Sequence, residues 1–235
     1  MMKDSRRGIS LARNTLLNLA GQAAPLLIAI VSIPLVVRGL GPDRFGILSL
    51  AWAAVGYFTL FEFGLSRATT KFVAEIVERA QEARLRPLIW TSLLLHLVFG
   101  IVGGFILAGL TPILVERVFK IPSTLVDQAR VTFFLMAAAV PVTIVSASAR
   151  SVLEGLQRFD LVNLIRASSN SLLYLIPAVA VQFDVGLPGI VALILTSRVI
   201  GTIAYFGVCT QVVPSLTERL RIGTEEVWPL LIFGD

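Results

Sequence analysis

Three stretches without a charged side chain set the first limit on this chain. Asn14 to Val37 runs 24 positions, Pro87 to Val115 runs 29 and Val131 to Ala149 runs 19 with no Asp, Glu, Lys or Arg. A run of about 18 or more apolar residues is long enough to cross the roughly 30 Å hydrocarbon core as a helix. Composition agrees: 56% of side chains are hydrophobic and 15% charged, where an ordinary globular chain carries about 25% charged. Mean hydropathy is +0.84. The 235 residues describe a polytopic membrane protein.

That reading excludes other classes. One cysteine, Cys209, and one histidine, His96, leave no disulfide framework and no structural zinc site, which needs about four ligands. The net charge of +5 and sequence pI near 10 do not mark a nucleic-acid binder, because the basic residues sit between apolar runs rather than along one face. The first apolar stretch is longer than the 7 to 15 residue core of a signal peptide, and more spans follow it, so it is expected to stay in the membrane.

With charge, Pro and Gly as boundaries, six long hydrophobic segments emerge: Thr15 to Val37, Phe45 to Leu65, Pro87 to Val115, Val131 to Ala149, Leu161 to Gln182 and Leu187 to Val213. Val227 to Asp235 resembles the opening of a seventh. Backbone N–H and C=O groups in lipid must pair within their own segment, so the fold class is all-α, a helical membrane bundle. Residues 1–214 form the expected six-helix lobe, and 215–235 a cytoplasmic link with the truncated start of a second. Pro25, Pro34, Pro112, Pro141 and Pro177 would each free a carbonyl and favour a kink. With a cytoplasmic N-terminus, fourteen of the 20 Lys and Arg fall on the inner side, five on the outer side and Arg198 inside a span. That distribution follows the positive-inside rule and lays basic loops against anionic lipid headgroups.

The inner loop Ser66 to Arg86 has a helical stripe of Phe72, Val73, Ile76, Val77 and Ala80, with Glu75–Arg79 and Glu82–Arg86 as i,i+4 pairs on the other side. It reads either as an interfacial helix on the cytoplasmic leaflet or as an extension of span two.

Ionisable groups near the bilayer centre cost at least about 2.5–3.5 kcal/mol, so they face a partner or a wet cavity. Arg198 lies about 11 residues into span six, roughly 16 Å along a helix rising 1.5 Å per residue. It either lines a polar cavity or pairs with another helix. Arg166 is shallow enough to snorkel to the inner surface, but Asn163, Arg166, Asn170 and Tyr174 are spaced three, four and four apart and form one polar stripe. Asn14, Asn18 and Gln22 form a matching stripe in span one. Such stripes join helices by hydrogen bonds or line an aqueous path. Glu62, near the inner end of span two, is a candidate for ion coupling or a boundary carboxylate in headgroup water. His96 can titrate near neutral pH or simply bond a neighbouring helix. Gly100, Gly104 and Ala108 form a small-xxx-small packing series.

No site chemistry of an enzyme is apparent. The Gly39, Gly41 and Gly46 cluster has the wrong spacing and no preceding strand for a dinucleotide loop. There is no P-loop and no nucleophile elbow, and the six aspartates are too scattered to hold metal and diphosphate. Neither catalysis nor a cofactor is expected.

Several short patches resemble a known family. Asn18 through Gly21 and Pro25 to Pro34, then Arg38-Gly39-Leu40-Gly41 and Phe45-Gly46 with Ser49-Leu50, are similar to the opening of the polysaccharide transporter family. So are Glu62-Phe63-Gly64-Leu65-Ser66-Arg67-Ala68 and Leu153-Glu154-Gly155-Leu156-Gln157-Arg158-Phe159. These are flippases for lipid-linked oligosaccharides, such as O-antigen units of lipopolysaccharide, within the multidrug, oligosaccharidyl-lipid and polysaccharide exporter superfamily. The resemblance implies two six-helix lobes around a cavity that opens to one side of the bacterial cytoplasmic membrane at a time, moving an undecaprenyl-diphosphate-linked glycan outward. Arg198 and Arg166 would then hold phosphate oxygens bidentately, and Asn18, Gln22 and Asn170 would hydrogen-bond sugar hydroxyls. Glu62 stands where the family often has aspartate.

Members of that family usually have twelve or fourteen spans, so this chain reads as an N-terminal lobe or a half-transporter that dimerises, partnered by a second lobe or by glycan-assembly proteins. Two alternatives remain: a drug or small-cation exporter of the same superfamily, which would want acidic residues in its cavity, and a noncatalytic membrane subunit or inactive remnant whose polar stripes only join helices.

Overall fold

The computed structural model describes residues 25–61, 63–214 and 230. Among them are seven α-helices and no strand: α1 (Pro25–Leu40), α2 (Pro42–Phe61), α3 (Phe63–Glu78), α4 (Glu82–Ile113), α5 (Val126–Gly155), α6 (Phe159–Ala180) and α7 (Leu187–Val212). Four stretches are long and apolar enough to cross a membrane: Ala83–Val118, Ser123–Gly155, Phe159–Phe183 and Leu187–Val212. The chain is a helical membrane bundle, and its helix bounds differ from the sequence reading chiefly in α4 and α5, which begin before Pro87 and Val131 and, for α5, run on past Ala149; residue 62, between α2 and α3, lies outside the described residues.

Turn chemistry sets the joints. Gly41 has φ +81° and its N–H bonds the Val37 carbonyl at 3.0 Å, a left-handed close to α1 that glycine adopts without steric cost. Pro42 then opens α2 with its fixed φ, and Asp43 in the first turn complements the helix dipole. The ends of α3 and α5 close in the same manner without glycine. Ala80 (φ +53°) and Gln157 (φ +58°) are left-handed, and the next N–H in each case reaches back five residues, Gln81 to Ile76 and Arg158 to Leu153.

The central helix is α5. Half of its most apolar window is buried, against 17% for α6 and 22% for α7, because α2, α3, α4, α6 and α7 all pack on it. Its N-terminal half joins a core with Val36, Leu48, Phe133, Val140 and Ile190. Its C-terminal half joins a second with Val73, Leu88, Val152, Leu153 and Cys209. The contact with α4 runs through the small-residue series: a Cβ on Gly100 would lie 2.7 Å from Pro141 Cα, and one on Gly104 2.9 Å from the Ala137 carbonyl oxygen. Removing those side chains lets the two backbones touch. At the far end of this hairpin Arg130 pairs with Glu116, both exposed, which contributes little in water. Phe105 and Phe183, each 76% exposed, stand on the outward faces that the bilayer would cover.

The loop helix resolves differently from the surface stripe. In α3 the buried residues are Leu65, Ser66, Ala68, Thr69, Val73 and Ile76, while Val77 is 46% exposed. The stripe is rotated because Gly155 of α5 admits Val73 and Thr70 at close range. Thus α3 packs into protein through α4 and α5. Lys71 pairs with Glu75 at 3.8 Å, and the side chain of Glu82 lies outside the described residues.

Candidate functional site

The polar stripe of α6 faces a cavity. Asn163, Arg166, Asn170 and Tyr174, with Ala167 and Leu173, line a space of about 360 Å³ whose other wall is Pro25 and Leu26 of α1. Spacings of three and four put these side chains on one helical face, and α6 exposes Leu164, Leu172, Leu175 and Val179 elsewhere on its surface.

Arg198 lines a second cavity, of about 250 Å³, with Trp52, Val55 and Gly56 of α2, Met136 and Thr143 of α5, and Leu173 of α6. Its direction follows from the anchoring of α7. Arg198, Thr202, Tyr205 and Cys209 are spaced four, three and four apart, one inward face. Thr202 Oγ1 is bonded 2.8 Å from the Arg198 carbonyl and 3.4 Å from that of Val142. Tyr205 donates to the Val162 carbonyl at 3.4 Å, and Cys209 to that of Ala149 at 3.3 Å. With these groups tied to α5 and α6, Arg198 is carried inward on the same face.

Among the described residues no carboxylate pairs with Arg198. A guanidinium in an apolar setting without one is poised for an anion and offers it a bidentate fork. Leu173 lines both cavities, and Trp52 meets Tyr174 edge to face, ring centroids 6.0 Å apart at 81°. The two arginines therefore occupy adjacent cavities separated by Leu173 and an aromatic pair.

His96 lines neither cavity. It is fully buried at the junction of α3, α4 and α5. Its Nδ1 lies 2.8 Å from the Ser92 carbonyl oxygen, so Nδ1 carries the proton there. Its Nε2 lies 3.5 Å from Ser66 Oγ. Ser92 Oγ in turn lies 2.7 Å from Thr69 Oγ1 and 3.3 Å from Ser148 Oγ. Asn18, Gln22 and Glu62 lie outside the described residues. Trp52, Met136 and Thr143 were not singled out by the sequence, since nothing in their spacing tells a cavity wall from a core.

Solved structures share this fold. This chain aligns with a MOP superfamily transporter from Pyrococcus furiosus at a TM-score of 0.73 and 15% identity, over 96% of this chain and 50% of that one. A multidrug resistance MATE family transporter gives 0.70 and 15%, over 95% and 49%. The polysaccharide biosynthesis protein family model matches residues 11–219, and the chain belongs to that family. A putative O-antigen transporter of Shigella flexneri is 32% identical over 200 residues, 84% of this chain and 47% of the relative. The chain spans about half the length of the relatives it matches.

Proposed function

We propose that this chain forms one lobe of a flippase that moves a lipid-linked oligosaccharide or polysaccharide precursor outward across the bacterial cytoplasmic membrane by alternating access, as a transporter rather than an enzyme. The observation that carries the reading is Arg198, held inside the bundle in a cavity without a carboxylate partner among the described residues. A lipid diphosphate crossing a low-dielectric region needs cations that are not already neutralised. Arg198 and Arg166 supply them from adjacent cavities, and Asn163 and Asn170 add hydrogen-bonding groups for sugar hydroxyls. Asn18 and Gln22 are proposed as further partners for sugar hydroxyls, and Glu62 as the ion-coupling group. The N-terminus is cytoplasmic, the basic inner loops contact anionic lipids, and a second lobe completes the cavity. The cation-exporter reading is disfavoured because the ionisable residues lining both cavities are arginines.

The test is export in cells that depend on this transporter. Arg198→Ala should abolish surface glycan while the protein accumulates in the membrane at its normal level, and Arg198→Lys should restore only part. Normal export by Arg198→Ala refutes the assignment, and loss of the protein itself returns Arg198 to a structural role.

A further inference from the structure

Arginines account for recognition of phosphate, but neither phosphate nor lipid chain calls for the aromatic pair between them. Trp52 sits in the middle of α2, ten residues from Pro42, rather than at a helix end. It is half-buried and lines the Arg198 cavity, while Tyr174, its edge-to-face neighbour, lines the Arg166 cavity. An edge-to-face contact leaves each ring at least one face that its partner does not cover. The indole N–H of Trp52 is buried without an acceptor among the described residues, a donor that a ligand oxygen satisfies once the ring turns. Trp90 shares the orphaned N–H but lines neither cavity, so cavity position is what separates the two.

A pyranose ring has a C–H face and a hydroxyl rim. The C–H face, weakly positive, matches the negative face of an aromatic ring, and the hydroxyls match amides and indole N–H groups. We propose that Trp52, supported by Tyr174, is the stacking platform for a sugar ring next to the diphosphate, and so the residue that makes this lobe prefer a glycosylated headgroup over a bare one. The assignment deepens the flippase reading and rests on it. The Trp52 ring faces the sugar on the Arg198 side, Asn163 and Asn170 take hydroxyls on the Arg166 side, and Leu173 with the ring pair sets the spacing between them.

The experiment uses the whole chain in lipid nanodiscs, titrated calorimetrically with inorganic pyrophosphate and with N-acetylglucosaminyl diphosphate. The wild type should bind the sugar-bearing probe at least tenfold more tightly. Trp52→Leu should erase that preference and keep pyrophosphate affinity within twofold, while Trp52→Phe, which retains a ring, keeps most of the preference. In the unmutated chain, saturating the indole protons should transfer magnetisation to the sugar ring protons. A wild type that binds both probes equally, a Trp52→Leu chain that keeps the tenfold preference or loses both probes, or an absent magnetisation transfer overturns the platform and leaves the anion site standing. A wild type that binds neither probe refutes the flippase reading and the platform with it.

Discussion

Gly155→Ala tests the joint that fixes α3 on α5. An added Cβ would lie 2.7 Å from both Cβ and Cγ1 of Val73 and 2.8 Å from the Thr70 carbonyl oxygen. Carbon contacts are optimal at about 3.5–4.0 Å, so the helices must separate by nearly 1 Å, because a rotamer change at Val73 moves Cγ1 but not Cβ. Overpacking of this kind costs about 1–3 kcal/mol. The separation also stretches the 3.2 Å bond from Thr70 Oγ1 to the Ser151 carbonyl, worth about 0.5–1.5 kcal/mol. The expected loss is about 2–4 kcal/mol, read as unfolding free energy in detergent micelles by denaturant titration. Val73→Ala removes Cγ1 but keeps Cβ at 2.7 Å from the new one, so it relieves only part of the overlap. In the Gly155→Ala background it should therefore cost less than it does in the wild type, giving a coupling energy of about 0.5–1 kcal/mol in the double-mutant cycle. A Gly155→Ala chain within about 0.5 kcal/mol of wild type, or strictly additive changes, would show that the close approach of α3 to α5 does not hold the fold.

Two further perturbations follow from the same packing. His96→Ala removes the ring that meets the Ser66 and Ser92 hydroxyls at a buried junction and should cost about 2–4 kcal/mol from lost bonds and the residual cavity. His96→Gln should restore part, and a loss under 1 kcal/mol for His96→Ala would refute a locking role. Gln157→Gly relieves a left-handed non-glycine residue at the end of α5 and should raise stability by about 1 kcal/mol; a lower melting temperature would refute it.

Much of this protein is legible in sequence because the bilayer leaves few choices. Runs without charge must be helices, since no water is present to satisfy a free backbone group, and the small-residue series Gly100, Gly104 and Ala108 does pack where helices touch. The polar stripe on α6 was likewise readable from spacing alone, because 3.6 residues per turn fixes which side chains share a face. Identity of a face, however, is not identity of its neighbour. The stripe on α3 shows this: local amphipathicity groups Val73 and Ile76 with Phe72 and Val77, and the contact through Gly155 buries the first two together with Leu65 and Thr69 while Val77 stays exposed. The sequence alone determined that the chain is a membrane bundle, where its helices run and which rare polar groups need a reason to be there. Only the tertiary structure decided that Arg198 meets a cavity rather than a carboxylate among the described residues, that His96 is caged by hydroxyls, and that Trp52 and Tyr174 stand between two arginines. Those are distances between residues far apart in the chain, set by which helix packs on α5 and how closely, and no periodicity within one helix encodes them.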